Sequence, residues 1–214
     1  MVKAVIFDMD GVLVDNGDYH FKAWKIFCEK YTIPFSEEKF RAHYFGQTNE
    51  LVLNGLFQCN LERSEMKKLA DEKEQMYREI YAPHICPVNG LISFFHELKQ
   101  AKIKLGVATS APKENVDFVL DALGIKDKID VIVYDSMVSK SKPHPEIYLK
   151  AAELLHLTPS ECTVFEDSLS GTKSAYDAGA RVIALTTTLP AEKHCYAHRT
   201  IKDFSESGLK EMLI

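Results

Sequence analysis

The 214-residue chain is long enough for one well-buried domain with a modest second module, and it is too short for three ordinary domains. Its 46% hydrophobic and 27% charged composition is ordinary for a globular protein, and no biased tract indicates a fibre or disorder. The formal charge of -5 at pH 7 argues against a binder of nucleic acid or of acidic membrane lipid, because both partners require a cationic surface.

Short apolar runs rich in β-branched residues alternate with amphipathic stretches of helical length. This is the pattern of βα units around a buried parallel sheet. The predicted strands are residues 4–7, 105–108, 131–134, 163–165 and 182–185. The predicted helices between them are residues 90–100, 113–123, 145–156 and 171–178. The chain is therefore predicted to be an α/β protein with a Rossmann-like, doubly wound parallel sheet.

Three residues mark the ends of these helices. Gly124 and Gly179 stand where a left-handed glycine would stop a helix, and Pro145 suits the first turn of another helix. These signals agree with the periodicity of the flanking segments.

Residues 19–82 form a different region, because they show helical periodicity and almost no strand signal. The predicted helices there are residues 19–31, 37–44, 49–57 and 64–81. Pro83, Pro87 and Gly90 then mark a turn-rich return to the α/β pattern. We predict a core domain of residues 1–15 and 83–214, and a helical domain of residues 16–82 inserted after the first strand.

Polar side chains follow four of the predicted strands. They are Asp8 and Asp10 after the first strand, Thr109 and Ser110 after the second, Asp135 after the third, and Glu166 and Asp167 after the fourth. The carboxyl ends of parallel strands share one edge of a sheet, so these groups are expected to converge there. Any single one could instead end a strand or cap a helix, but that is a poor explanation for all of them.

Clustered carboxylates repel one another unless a cation lies among them, and oxygen ligands of this kind suit Mg²⁺. Lys142 offers a second positive charge. It stands in the segment Ser141-Lys142-Pro143-His144-Pro145, whose prolines stiffen the backbone. A lone lysine before proline would ordinarily be a solvated surface residue.

The chain resembles the haloacid dehalogenase superfamily over essentially its whole length. Four motifs carry the resemblance in the right order and spacing. They are Asp8-Met9-Asp10-Gly11-Val12, Ala108-Thr109-Ser110, Lys142, and Glu166-Asp167. The inserted helices, which would form a cap, and the stretch from Asp15 to Lys25 resemble the β-phosphoglucomutase-like subgroup.

The resemblance implies roles for the core residues. Asp8 would attack phosphorus, Asp10 would act as acid and base, and Lys142 would offset the charge of the phosphoryl group. Mg²⁺ would bind the Asp8 carboxylate, the Asp10 backbone carbonyl and Asp167, with Glu166 either a ligand or just behind the ligands. The implied phosphate-binding residues are Gly11, Thr109, Ser110, Ala111 and Asn115, of which Asn115 could equally be an ordinary helix residue and Gly11 is also a pivot.

Residues of the helical domain are implied to read the rest of the substrate. They are His20, Trp24, Gly46, Asn49 and Lys73. Three have plain alternatives: His20 as an interfacial histidine, Trp24 as a core residue of the helical domain, and Lys73 as one charge in a solvated run. The mutase pattern has arginine where this chain has Asn49, which removes a bidentate phosphate clamp.

The sequence is therefore compatible with three functions. The first is a phosphatase of a small, sugar-like phosphorylated metabolite, and the second is a phosphosugar mutase, which shares every core residue. The third is a non-catalytic phosphometabolite sensor, whose expected mark would be the loss of Asp8 or Asp10, and both are present.

The cellular setting follows from the cysteines and the first residues. The five cysteines are odd in number and include no CxxC pair, which indicates reduced thiols and no zinc site. The first apolar run, residues 4–7, is too short for a signal peptide. We expect a cytoplasmic monomer.

Overall fold

The computed structural model describes residues 2–44 and 48–209, except the side chains of residues 41–43. Within these residues the chain forms six β-strands and eight α-helices. The strands are β1 (Ala4–Phe7), β2 (Lys104–Ala108), β3 (Val131–Val133), β4 (Cys162–Glu166), β5 (Arg181–Leu185) and β6 (Arg199–Ile201). The helices are α1 (Gly17–Lys30), α2 (Glu37–His43), α3 (Asn49–Phe57), α4 (Arg63–Tyr81), α5 (Leu91–Gln100), α6 (Lys113–Leu123), α7 (Glu146–Leu154) and α8 (Leu169–Asp177).

The strands form one sheet in the order β3-β2-β1-β4-β5-β6, and every neighbouring pair is parallel. The order reverses between β1 and β4, which is the switch point of a doubly wound sheet. The prediction of a Rossmann-like α/β core is confirmed. The edge strand β6 was not predicted, because Ile201 is the one fully buried residue of its three and no apolar run marks it.

Both faces of the sheet are covered by apolar side chains. Ile6 and Val164 belong to the buried cluster that α7 and α8 form against one face. The next residue in each strand, Phe7 and Phe165, points to the other face, since side chains alternate along a strand. There the two rings stack 5.3 Å apart, and Phe95 of α5 packs 4.9 Å from Phe7. Burial on both faces explains why these strands read as continuous apolar runs.

Left-handed glycines and a serine cap determine where two of the helices begin or end. Gly124 adopts a left-handed φ of +62° directly after α6, and Gly179 adopts a φ of +85° just after α8, as predicted. The helix α8 starts two residues earlier than the periodicity predicts. The reason is that the Ser168 hydroxyl accepts a hydrogen bond from the Gly171 amide at 3.0 Å and caps the first turn.

The backbone contacts divide the chain into two compact units. One is Met1–Asp15 with Ile85–Ile214, which contains the sheet, and the other is Asn16–His84, which contains α1 to α4. In the described part of the second unit there is no strand, as the sequence predicts. A short 3-10 helix, Ala82–His84, ends this unit.

The helical unit has its own aromatic core. Its buried members are Phe21, Trp24, Phe27, Phe40, Val52, Leu53 and Leu69. The Trp24 ring meets Phe27 edge-on at 5.4 Å and is 4% exposed, which agrees with its alternative reading as a core residue of this unit. None of the helices in the described ranges combines the length and hydrophobicity that crossing a bilayer requires.

Candidate active site

Three buried carboxylates meet at the switch point of the sheet. Asp8 follows β1, Glu166 is the last residue of β4, and Asp167 comes next. The Asp8 amide donates to the Phe165 carbonyl at 2.9 Å, which continues the pairing of β1 and β4 to this edge. One oxygen from each of the three carboxylates lies within 4.8 Å of the others. In open parallel sheets this crevice is where ligands bind.

Lys142 connects the carboxyl ends of three strands. Its Nζ donates to Asp8 Oδ1 at 2.8 Å, to Glu166 Oε1 at 2.7 Å and to the Ala108 carbonyl at 3.3 Å. The side chain is only 7% exposed. Burial lowers the pKa of Lys142, but the charges of Asp8 and Glu166 outweigh that effect and hold it well above 10.5. The lysine is therefore a fixed cation, and its reading as a solvated surface residue is wrong.

Glu166 is saturated with hydrogen bonds from the protein. Its Oε1 accepts from Lys142 Nζ and from the Tyr148 hydroxyl at 2.8 Å. Its Oε2 accepts from the Asp167 amide at 2.9 Å and from the Ser168 amide and hydroxyl, both at 3.1 Å. Burial raises the pKa of Glu166, but the charge of Lys142 and these bonds bring it below 4.5. Glu166 is thus an ionised carboxylate committed to holding Lys142.

Gly171 allows Glu166 to occupy this position. A Cβ atom at Gly171 would lie 1.7 Å from Glu166 Oε1, a distance that no real Cβ tolerates. Neither this close approach nor the Tyr148 and Ser168 contacts were predicted. Tyr148 stands six residues after Lys142 and reads as one more apolar position of α7, so its pattern gives no sign of the contact.

The cluster carries more negative charge than Lys142 can balance. Burial raises the pKa of Asp8 from 3.8 to about 7, against the opposing charge of Lys142, and Glu166 and Asp10 add to the rise. Burial and the charges of Glu166 and Asp8 likewise raise the pKa of Asp167 well above 3.8. Three buried carboxylates beside one ammonium group leave an excess of negative charge, and carboxylate oxygens are hard donors. The cluster therefore fits a hard divalent cation. Because Glu166 is saturated with hydrogen bonds, Asp8 and Asp167 are the carboxylates that could bind this cation.

The Asp10 side chain lies outside that cluster of described carboxylates. β1 ends at Phe7, as predicted, so the alternation of side chains along a strand does not set the relative orientation of Asp8 and Asp10. Asp10 instead begins a tight turn, in which the Gly11 amide donates to the Val14 carbonyl at 2.7 Å. Its charge still contributes to the raised pKa of Asp8, so the two carboxylates remain close enough to interact.

The second motif forms the loop between β2 and α6. The Thr109 amide donates to the Val133 carbonyl at 3.0 Å, and its hydroxyl accepts from the Ala111 amide at 3.1 Å. Thr109 and Ala111 are buried and Ser110 is exposed. Asn115 is buried in the first turn of α6. The loop thus starts beside Ala108, whose carbonyl contacts Lys142.

The loop after β5 also contacts the cluster, which was not predicted. The Thr188 hydroxyl donates to Asp167 Oδ2, and the Thr187 hydroxyl donates to the Gly11 carbonyl at 2.6 Å. β5 pairs with β4, so its carboxyl end reaches the same edge of the sheet. A run of three threonines carries no motif by itself, and the strand order that explains these contacts cannot be read from it.

The predicted residues of the helical unit form a separate polar network. Lys73 is 2% exposed, so its reading as a solvated charge is wrong. Its Nζ donates to Glu74 Oε1 at 2.8 Å and to His20 Nδ1 at 2.9 Å, and it lies 5.0 Å from the Trp24 ring. Asn49 Nδ2 donates to the same Glu74 oxygen at 2.8 Å. The sequence did not single out Glu74, and Gly46 lies outside the described residues.

A doubly wound α/β core with an acidic cluster and a fixed lysine at its switch point defines an enzyme site for an anionic group. The sequence profile of the haloacid dehalogenase-like hydrolases matches residues 5–185. The chain therefore belongs to this family, as the four motifs indicated.

Named relatives include both a phosphatase and a mutase. The chain is 33% identical to the "Phosphorylated carbohydrates phosphatase" of Thermotoga maritima over 83% of this chain and 82% of that protein. It is 32% identical to the "Beta-phosphoglucomutase" of Bacillus subtilis, over 83% and 80% respectively. The crystal structure of a HAD hydrolase, family IA, variant 3, from Entamoeba histolytica superposes with a TM-score of 0.92 at 30% identity, covering 99% and 98% of the two chains. Overall identity thus does not separate the two activities.

Proposed function

We propose that this chain is a Mg²⁺-dependent phosphatase that acts on a small, sugar-like phosphorylated metabolite through an aspartyl-phosphate on Asp8. The observation that carries the proposal is the contact of Lys142 Nζ with Asp8 Oδ1 at 2.8 Å, inside a cluster of three buried carboxylates. A lysine held beside a carboxylate in this way offers its charge to the anion that the carboxylate attacks. The resemblance and the family membership supply the reaction type.

Asp8 would attack the phosphorus atom, and the bond between phosphorus and the leaving oxygen would break. Asp10 would give its proton to that oxygen, so the leaving group departs as a neutral alcohol. Asp10 would then take a proton from water as the water attacks the phosphorus of the aspartyl-phosphate. Inorganic phosphate leaves and the Asp8 carboxylate is restored. The second step thus returns to Asp10 the proton that the first step used.

The negative charge of the phosphoryl group has to be offset during both steps. Lys142 supplies one fixed charge, and Glu166 keeps it in place through the 2.7 Å contact. Bound Mg²⁺ would supply the remaining positive charge, held by Asp8, Asp167 and the Asp10 carbonyl. We propose no ligand role for Glu166, because its hydrogen bonds to the protein already occupy both oxygens.

The remaining phosphate oxygens need hydrogen-bond donors. Thr109, Ser110 and Ala111 would provide them from the loop after β2. Asn115 at the start of α6 and the backbone of Gly11, three residues after Asp8, would add to them. These assignments rest on the motifs. The Ala111 amide donates to the Thr109 hydroxyl at 3.1 Å, so a phosphate oxygen would replace that acceptor.

The helical unit would act as the cap that reads the rest of the substrate, with His20, Trp24 and Lys73 among its candidate contacts. A mutase must hold a second phosphate there. In this unit the Lys73 charge is already paired with Glu74 at 2.8 Å, and Asn49 binds the same carboxylate instead of offering a guanidinium group. An incoming phosphate would therefore meet a neutralised lysine. This favours phosphatase over mutase activity.

The mutase remains the second candidate, because His20 and Lys73 are retained and a β-phosphoglucomutase is among the relatives. A non-catalytic sensor is disfavoured by the complete set of Asp8, Asp10 and Lys142. We also propose that the protein is cytoplasmic, which the free state of all five cysteines supports, and that it is a monomer. Light scattering during size-exclusion chromatography would test the monomer.

Phosphorus NMR can follow phosphate release and sugar-phosphate isomerisation in one tube with Mg²⁺. We expect the natural protein to release phosphate over many turnovers, with little exchange between β-glucose 1-phosphate and glucose 6-phosphate. Asn49→Arg should increase isomerisation, because one charge-assisted contact contributes roughly 1.5–3 kcal/mol, or about ten- to a hundredfold in affinity. Asn60→Arg adds the same charge at an exposed position of the same unit and is the control. Rapid isomerisation by the natural protein with negligible phosphate release would overturn the phosphatase proposal.

A further inference from the structure

The loop that follows β5 ties two distant parts of the candidate active site together. We call residues 186–188 the threonine loop. The Thr187 hydroxyl donates to the Gly11 carbonyl at 2.6 Å, and the Thr188 hydroxyl donates to Asp167 Oδ2. Gly11 lies in the turn after β1, whereas Asp167 follows β4. Both contacts join residues that only the strand order brings near each other.

The two acceptors, the Gly11 carbonyl and Asp167 Oδ2, belong to residues that pack directly against each other. A Cβ at Gly11 would lie 1.9 Å from Asp167 Oδ2, so this oxygen packs directly on the glycine backbone, which has a left-handed φ of +74°. The Thr187 bond holds that backbone, and the Thr188 bond holds the oxygen itself. A carboxylate whose Oδ2 is fixed in this way has a defined orientation for its other oxygen, Oδ1.

Asp167 needs such support because its neighbours repel it. Its carboxylate is buried and lies within 4.8 Å of the Asp8 and Glu166 carboxylates. Lys142 contacts Asp8 and Glu166 directly, and its hydrogen bonds to these two acids do not extend to Asp167 in the described residues. The Thr188 hydroxyl is thus the side-chain donor that meets Asp167 there.

We propose that Thr188 is a positioning residue, which orients the Asp167 carboxylate for the divalent cation, and that Thr187 supports it through Gly11. The inference rests on the proposed Mg²⁺-dependent function. Groups that orient a metal ligand typically affect metal affinity about 10–100-fold when they are removed. Thr188, supported by Thr187, would therefore set how tightly the site holds Mg²⁺ without touching the substrate.

The direct test is calorimetric titration of Mg²⁺ into the metal-free protein and three variants. Thr188→Val removes the hydroxyl and keeps the shape, and Thr188→Ser keeps the hydroxyl. Thr186→Val is the matched control. It lies in the same loop, and its amide, which the substitution preserves, donates to the Ile201 carbonyl at 3.0 Å. Thermal unfolding without metal reports any general loss of stability in each variant.

We expect Thr188→Val to bind Mg²⁺ about tenfold more weakly or worse, and Thr188→Ser and Thr186→Val to stay near the natural protein. In steady-state assays Thr188→Val should require more Mg²⁺ for half-maximal activity, with an unchanged KM for the phosphorylated substrate at saturating Mg²⁺. A purely structural role would lower the unfolding temperature and leave Mg²⁺ affinity unchanged.

Three results would overturn the inference while leaving the proposed function intact: natural affinity in Thr188→Val, an equal loss in Thr186→Val, or no recovery in Thr188→Ser. If the natural protein itself shows no Mg²⁺ binding and no Mg²⁺-dependent phosphate release, the proposed function and the inference both fail. The titration of the natural protein therefore separates the two failures.

Discussion

Lys142 is the residue on which most of the proposed site depends. Its Nζ contacts the candidate nucleophile Asp8 and the buried carboxylate Glu166, and its side chain is almost fully enclosed. Removing one partner of a buried ion pair leaves the other charge buried and uncompensated, which strongly destabilises the protein. Lys142 is therefore expected to matter for both activity and stability, and the two effects can be separated experimentally.

Lys142→Met should abolish phosphate release and lower the free energy of unfolding by roughly 3 kcal/mol, because Glu166 stays buried and charged without its partner. The double variant Lys142→Met/Glu166→Gln removes the second charge as well. It should regain much of the stability while staying inactive. Urea unfolding and phosphate release measure the two effects. A double variant as unstable as Lys142→Met, or an active one, would contradict this account of the pair.

Tyr148 should influence the reaction through Glu166. Tyr148→Phe removes the hydroxyl that donates to Glu166 Oε1 at 2.8 Å, and a hydrogen bond to a charged group contributes roughly 1.5–3 kcal/mol. We expect kcat to fall by about tenfold or more with little change in KM, since Tyr148 is buried and has no proposed contact with the substrate. Tyr176→Phe, at a 52% exposed tyrosine, is the control. An equal fall in the two variants would remove the specific role of Tyr148.

At the scale of elements, periodicity predicted most of the fold because strands buried on both faces and amphipathic helices leave strong patterns. Short or edge elements do not leave such patterns, which is why β6 was missed. Local hydrogen bonds also shift boundaries, as Ser168 does at the start of α8.

Gly171 provides a test at this scale, because helix propensity and site geometry make opposite predictions for it. Replacing a helical glycine with alanine ordinarily stabilises a helix by about 1 kcal/mol. Gly171→Ala should instead destabilise the protein and reduce activity, because its Cβ would displace the Glu166 carboxylate. Gly124→Ala is the control: its φ of +62° predicts a loss of stability, yet open space around it predicts unchanged activity. A stabilised, fully active Gly171→Ala would contradict the packing described for Glu166.

At the scale of the whole molecule, the four motifs located the acidic cluster, but the strand order determines which residues support it. Thr188 lies 21 positions from Asp167, and Lys142 lies 134 positions from Asp8. Motif residues could be predicted because their types and spacing are informative. Supporting contacts such as Thr188 and Tyr148 could not, because ordinary threonines and tyrosines acquire their roles only when the sheet assembles. The paired state of Lys73 was hidden for the same reason, since burial decides whether a charge in an acidic run is solvated.

The central claim is that Asp8 carries the phosphoryl group during turnover. Rapid quenching in acid within one turnover, followed by intact-protein and peptide mass spectrometry, measures this directly. We expect a transient mass increase of one phosphoryl group, located at Asp8 after borohydride trapping, in the presence of both substrate and Mg²⁺. Asp8→Asn should remain folded and show no adduct and no phosphate release. Steady phosphate release from Asp8→Asn, or an adduct on another residue of the natural protein, would contradict the claim.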